Sequence, residues 1–289
     1  MDVMMGLLAA VLWGATDFLV GVNARAVGIR CAVFLGQLLG FLLIGGIVAT
    51  SADQLERVQS APTSALLYGG IAALCTVLGA LSLSKAFAIG KTVVVAPLVT
   101  SYGVFTTLLA WLGGDVLSVL QVFGLLVCFT GVVLASSSGS KSGGCEQTVS
   151  RSVIGFALLA AGLYGVSFWL QGKYALPLLG PVNMLALGYA TGVIILMPEA
   201  FRLMRGWASI GLRTSVTLCS ASLFNLGGFS AFSWGAINGS LSVVTVISTL
   251  SGGVAAILGF VFYQERLSGF QLLGVTLVLA GAVLLHLAG

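Results

Sequence analysis

Among the Asp, Glu, Lys, Arg and His residues, only Asp17, Lys85 and His286 fall inside long apolar runs. If those runs cross a bilayer, a carboxylate at that depth costs about 2.5–3.5 kcal/mol on insertion scales. Such a group faces the protein interior or a water-filled cavity, and its chemistry is to hold a cation or a proton. Helical spacing puts Asp17 on one face with Ala10, Trp13, Gly14 and Gly21. The alternative places Asp17 nearer the end of its segment, solvated or paired with Arg25. Lys85 can snorkel to an interface. Other chemistry is poorly supplied. One His cannot build a metal site, and no HExxH motif is present. The five Cys have no CxxC spacing, and four lie in apolar runs as small hydrophobes. A serine hydrolase would need a His or Asp partner, and His286 is almost the last residue. No P-loop is present. The expectation is a protein without metal or cofactor that is not an enzyme.

The elements that position Asp17 follow from composition. Charged residues are 7% of the 289, against roughly 25% in a soluble domain. Apolar types make up 58%, Gly adds 40 residues, and the mean hydropathy is +1.13. That leaves too little polar surface to cover a water-soluble globule. The net charge of +4 is too small to imply nucleic acid. A spanning helix needs about 20 apolar residues. Ten such runs occur, at 3–22, 31–50, 65–87, 92–112, 119–136, 153–170, 182–197, 215–232, 242–262 and 270–287. The first is expected to be a span and not a cleaved leader. None alternates with period two, which excludes barrel strands. The fold class is an all-α integral membrane protein with ten transmembrane helices. A Ser/Gly-rich linker, 137–150, divides the chain into 1–136 and 151–289.

The two parts resemble each other. At an offset of 151, seven of the fourteen positions 8–21 are identical, including Gly14 to Gly165 and Gly21 to Gly172. At an offset of 150, Ser118, Gln121, Gly124 and Gly131 match Ser268, Gln271, Gly274 and Gly281. Ser101 and Gly103 likewise match Ser251 and Gly253. Each half has five spans, an odd number, so the second half enters from the opposite side. Inverted repeats of this kind place a substrate site near the midplane, where the halves meet.

Several side chains could line that site. Trp13 and Tyr164 occupy pseudo-symmetric positions, and the face of Tyr164 also carries Phe168, the repeat-mate of Asp17, with Ser167 beside it. Trp and Tyr of a lipid-interface belt are the bland alternative. Asn225 lies mid-span on the eighth run, as a site residue or as helix–helix glue. The ninth run offers Thr245, Ser248, Thr249 and Gly252 on one face, and the fourth offers Tyr102 opposite Gly252. Pro97 removes a backbone donor and can bend its helix. Gly103, Gly252 and Gly253 could permit matching hinges, or simply close packing.

Trp13-Gly14, Ala86 to Gly90, and Gly259 to Ser268 leading into Gln271 and Gly274 resemble the EamA branch of the drug/metabolite transporter superfamily. The resemblance implies a secondary transporter that exports small metabolites by alternating access around a cavity lined from spans 1, 3, 4, 6, 8 and 9. Amino acids are the foremost substrates, as in exporters of the YddG type for aromatic amino acids. The alternatives are an uncoupled facilitator or an exporter of cationic drugs. A membrane enzyme or an assembly protein is more remote. The expected partners are a small-molecule substrate and the lipid bilayer, with a monomer sufficient for function. The expected location is the inner (plasma) membrane of a bacterial cell.

Arg25, Arg30, Lys85, Lys91, Lys141, Arg151, Arg202, Arg205, Arg213 and Arg266 fall on one side of the ten runs, against Arg57 and Lys173 on the other. The positive-inside rule then makes the linker cytoplasmic and both termini external, although members of the resembled family are often drawn with both termini inside. A single Cys placed in the linker of an otherwise Cys-free protein should resist impermeant thiol reagents in intact cells. Ready labelling from outside would reverse the orientation.

Overall fold

The computed structural model describes residues 2–114, 116–135, 150–206, 211–238, 244, 247–265 and 267–287. Linker residues 137–149, Asp115, Thr245 and Arg266 lie outside them, as do the side chains of Arg205 and His286.

In lipid only a helix satisfies its backbone from within one segment. The apolar runs accordingly become α1 (Asp2–Val27), α2 (Ile29–Thr50), α4 (Thr63–Ile89), α5 (Thr92–Thr100) and α6 (Tyr102–Leu112), with α7 (Val119–Ala135) closing the first half. The second half holds α8 (Arg151–Leu170), α9 (Leu176–Ile195), α11 (Leu212–Asn238), α12 (Ser251–Tyr263) and α13 (Gly269–Leu287). Two short polar helices, α3 (Ala52–Ser60) and α10 (Met197–Gly206), follow the second span of each half. The fourth span of the first half is α5 plus α6, and its counterpart is residues 247–250 plus α12. The protein is thus an all-helical membrane protein of ten spans in two inverted halves of five.

The inversion is visible in the contacts. α1 packs most extensively on α11, and α8, its counterpart, packs on α4, the counterpart of α11. The self-equivalent pairs α2 with α9, α5 with α12, and α7 with α13 also touch. The α7–α13 crossing is the closest of these. A Cβ added at Gly131 would lie 2.5 Å from the Val278 nitrogen and 2.8 Å from the Gly274 oxygen. One added at Gly281 would lie 2.6 Å from the Cys128 nitrogen and 2.9 Å from the Gly124 oxygen. Those partners differ by 150 in number, so one local two-fold axis relates both contacts and the helices run antiparallel. Without a hydrophobic drive between helices in lipid, this close approach is what holds the pair.

The matched Ser and Gln residues cap the same two helices. Ser118 N–H donates to Gln121 Oε1 at 2.9 Å, and Gln121 N–H returns a bond to Ser118 Oγ at 3.2 Å. Ser268 and Gln271 repeat this at 3.1 and 3.3 Å. Each is a capping box, which satisfies two orphan donors at a helix start. The turns after the first span of each half also match, with Gly28 at φ 84° and Gly180 at φ 74°. That region is costly for any residue with a Cβ.

Every residue of α5 is buried. It lies at the centre of the main apolar cluster with Phe87, Val153, Ala157 and Ala255. The basic residues sort to one end of the bundle. Arg25 reaches Phe87 and Gly90, while Arg30 and Arg202 both face Glu199. At the other end Lys173 meets Gly113, and Gly180 lies beside Arg57.

Gly131→Val and Gly281→Val should each destabilise the transmembrane bundle by about 1–3 kcal/mol through overpacking. Thermal unfolding in detergent should show similar losses for both, because the two sites are equivalent. Gly155→Val, where a Cβ meets nothing within 4 Å, is the control.

Candidate functional site

α1 spends its faces on specific neighbours. Trp13 seats over Gly228 of α11, where an added Cβ would come within 2.7 Å of its ring. Its Nε1 donates to the Asn225 carbonyl at 3.3 Å. Gly14 closes on Ser251 and Val254 of α12, and Gly21 on Phe87 of α4. Phe18 packs on Phe262 and Tyr263 at 5.5 and 5.3 Å between ring centres. Asp17 is left turned toward the centre, about 22 Å along α1 from its start.

There Asp17 stands within electrostatic reach of Tyr102 and Tyr164. Tyr102 opens α6, and Tyr164 lies mid-way along α8. Phe168, one turn on, holds its ring 4.9 Å from Tyr102 and 6.4 Å from Tyr164. Phe168 still keeps 46% of its surface accessible, so its ring is not sealed in by packing. Asp17, Tyr102 and Tyr164 are each half-buried. Among the described residues the Asp17 carboxylate makes neither a hydrogen bond nor an ion pair, and neither phenol hydroxyl is bonded. Arg25 is engaged elsewhere, donating to the Phe87 and Gly90 carbonyls at 2.7 and 3.0 Å. The structure therefore brings together four of the expected residues, Asp17, Tyr102, Tyr164 and Phe168.

Trp13 and Tyr164 do occupy matching places. Tyr164 lies over Gly79 of α4 at 3.0 Å from an added Cβ, as Trp13 lies over Gly228. Each aromatic ring fills the groove of the opposite half's third span.

Ser167 and Asn225 do different work from the site residues above. Ser167 is buried and donates to the Ala72 carbonyl at 2.8 Å. Its oxygen also lies 2.7 Å from Thr76 Oγ1 and accepts from Gln171 Nε2 at 2.7 Å. It faces α4 and has no capacity left for a ligand. Its repeat-mate Thr16 makes the corresponding bond to Ala221, at 3.4 Å. Helical spacing placed Ser167 beside the Tyr164 face but could not say which neighbour it would meet. Asn225 Nδ2 donates to Tyr189 Oη at 2.8 Å, tying α11 to α9. Ser248 and Thr249 are buried at the break before α12.

The breaks themselves lie beside the expected hinge glycines. α5 ends at Thr100 and α6 begins at Tyr102, with Ser101 between them at φ −66° and ψ 0°. Pro97 lacks the donor that would continue the ladder. Thr100 Oγ1 donates to the Pro97 carbonyl at 2.6 Å and Ser101 Oγ to the Leu98 carbonyl at 2.7 Å. In the second half the turn falls at 249–250. Gly103, Gly252 and Gly253 lie within the helices that follow. Gly252 is a packing position, where an added Cβ would sit 2.5 Å from Thr100 Cγ2.

A model of the EamA-like transporter family matches residues 1–137 and again residues 151–287. The chain belongs to that family. It is a multi-pass membrane transporter of small molecules, and the two matches fall on its two halves. Among curated proteins none matches. One protein of known crystal structure is similar over 98% of this chain and 95% of its own, with a TM-score of 0.63 at 17% identity. That likeness supports the fold of the transporter and says nothing of its cargo.

In the transporter Ser167→Ala should cost about 0.6 kcal/mol, a typical interhelical bond in a membrane. Transport rate and substrate affinity should stay within twofold of the parent. A large fall in affinity with unchanged stability would return Ser167 to the site.

Proposed function

We propose that the transporter exports small amphipathic metabolites carrying a protonated nitrogen, foremost neutral or aromatic amino acids, by alternating access across the inner membrane. The repeat units are 1–136 and 151–289, joined by 137–150. The single observation that carries the reading is the unpaired Asp17 carboxylate facing Tyr102, Tyr164 and Phe168.

A carboxylate left without a cation inside a bilayer is expensive. A substrate ammonium would supply that cation. Aromatic faces attract cations, more strongly when desolvated. The same rings accept the apolar body of the substrate. Two phenol hydroxyls add hydrogen-bonding capacity for a polar head. Trp13 fastens α1 to α11 through the Asn225 carbonyl and Gly228, and the breaks at Ser101 and at 249–250 let the fourth span of each half flex about the same depth. Inverted halves then open the site to either face at similar energy.

A second reading keeps the mechanism and changes the cargo. Arg25 is committed to Phe87 and Gly90, so it is not available to hold a substrate carboxylate beside Asp17. Lipophilic organic cations fit the same cage. Efflux from loaded proteoliposomes, for a panel of amino acids and cationic drugs with and without a pH gradient, separates the two.

Asp17→Asn keeps the shape and removes the charge. If Asp17 holds an ammonium, substrate binding should weaken about 10- to 100-fold wherever the carboxylate was ionised, the value of a charged hydrogen bond. If it couples transport to protons, binding should survive while the response to a pH gradient disappears. Unchanged affinity, rate and pH response in protein of normal abundance would remove Asp17 from the mechanism.

A further inference from the structure

Arg25 closes the last turn of α1. Its guanidinium donates to two carbonyls at the C-terminal end of α4, those of Phe87 and Gly90. Helix C-termini leave carbonyls unpaired and carry the negative end of the helix dipole, so a cation there is favoured. The guanidinium carbon also lies 4.6 Å from the centre of the Tyr263 ring. Tyr263 is the last residue of α12, in the other half of the protein. Just beyond it, Gln264 turns the chain at φ 53°, and Glu265 Oε2 accepts from the Val93 amide at 2.9 Å, at the start of α5. Arg25 therefore joins α1, α4 and α12, and Glu265 joins the same end of α12 to α5.

Beneath this layer lies a second. Seven residues earlier on α1, about 10 Å deeper, Phe18 packs against both Phe262 and Tyr263. Its chain neighbour is Asp17. From the basic end of the bundle inward, the order is a guanidinium on a phenol ring, then an aromatic cluster, then the carboxylate.

The repeat symmetry isolates what is special here. The positions equivalent to Phe18 and Arg25 are Trp169 and Leu176, and those equivalent to Phe262 and Tyr263 are Leu112 and Gly113. The opposite end thus has neither the guanidinium nor the phenol at these positions. Lys173 reaches the Gly113 carbonyl there, at 3.2 Å on the exposed surface. A scaffold that treats its two ends alike has been fitted with this contact at one end.

We propose that Arg25 on Tyr263 is the latch of a gate at the basic end of the transporter, with Phe18 as the plug beneath it. Opening to that face separates α12 from α1 and α4, which breaks the ring contact between the halves. The two carbonyl bonds lie within the first half, so they hold Arg25 in place for the ring to return. Lysine in place of Arg25 has no planar group to lie over the ring while reaching both carbonyls.

The test reads access and not binding, so it stands apart from the role given to Asp17. A single reporter, Asp17→Cys in an otherwise Cys-free full-length protein, is labelled with a charged, membrane-impermeant methanethiosulfonate. Sealed vesicles of both orientations are used, without substrate. Arg25→Ala and Tyr263→Ala should each raise the labelling rate from the Arg25 face about tenfold. Tyr263→Phe, which retains the ring, should keep the parental rate. Combining Arg25→Ala with Tyr263→Ala should add little to either alone. If a variant does not elute as a single folded species, Arg25→Lys or Tyr263→Leu replaces it and should raise the rate at least threefold. Parental labelling in the folded Arg25 and Tyr263 variants overturns the latch. A rise of equal size in Tyr263→Phe overturns it too, because the ring contact would then not be what closes the gate.

Discussion

A backbone group without a partner is at its most expensive in hydrocarbon, and among the described residues the fourth span of each half breaks there, at Ser101 and at 249–250. The arrangement around Asp17 depends on how those breaks are satisfied. At the first, Thr100 and Ser101 donate their hydroxyls to the carbonyls of Pro97 and Leu98. At the second, the Leu250 amide donates to Ile247 and the Gly253 amide to Leu250. The first break ends the buried α5 and starts α6 at mid-depth, and the second precedes α12. Tyr102 lies at the new start in the first half. Its repeat-mate Gly252 instead admits Thr100 of the facing span. One break thus presents a ring to the site, and the other allows the two fourth spans to close on each other.

The frame is symmetric, and the chemistry placed on it is not. Glycines at the α7–α13 crossing, capping boxes, aromatic rings on glycine and hydroxyl bridges all occur in pairs. Asp17 against Phe168 and Arg25 against Leu176 do not. A symmetric scaffold gives two orientations of similar energy. In the proposed mechanism, residues without a repeat-mate of their own kind set which cargo is held and which end is closed at rest. In that mechanism the repeat separates the parts that carry the motion from those that set its direction and selectivity.

Much of the frame was legible in the sequence, because its causes are local or repeated. Runs of about twenty apolar residues mark spans, and the matched Gly124, Gly131, Gly274 and Gly281 mark the repeat. Asp17 stood out because a carboxylate in an apolar run needs a reason. The rest depended on partners far away in the chain. Ser167 is on the expected helix but turned toward Ala72 and Thr76. The first break is closed by the hydroxyl groups of Thr100 and Ser101, where the sequence drew attention to Pro97 and the neighbouring glycines. Arg25 counted as a loop charge or a partner for Asp17, since its acceptors are main-chain carbonyls that carry no signature in the residue types of α4.

The burial of α5 bears on how the protein is made. All nine of its residues are covered, and among its neighbours are α8 and α12 of the second half. While the ribosome has produced only the first half, those covering helices do not yet exist. The segment around Pro97 must then wait in lipid, or beside the insertion machinery, with a face built for protein contact. Assembly of the fourth span is consequently postponed until the ninth has been synthesised. The centre of the molecule becomes one of the last places to acquire its native surroundings.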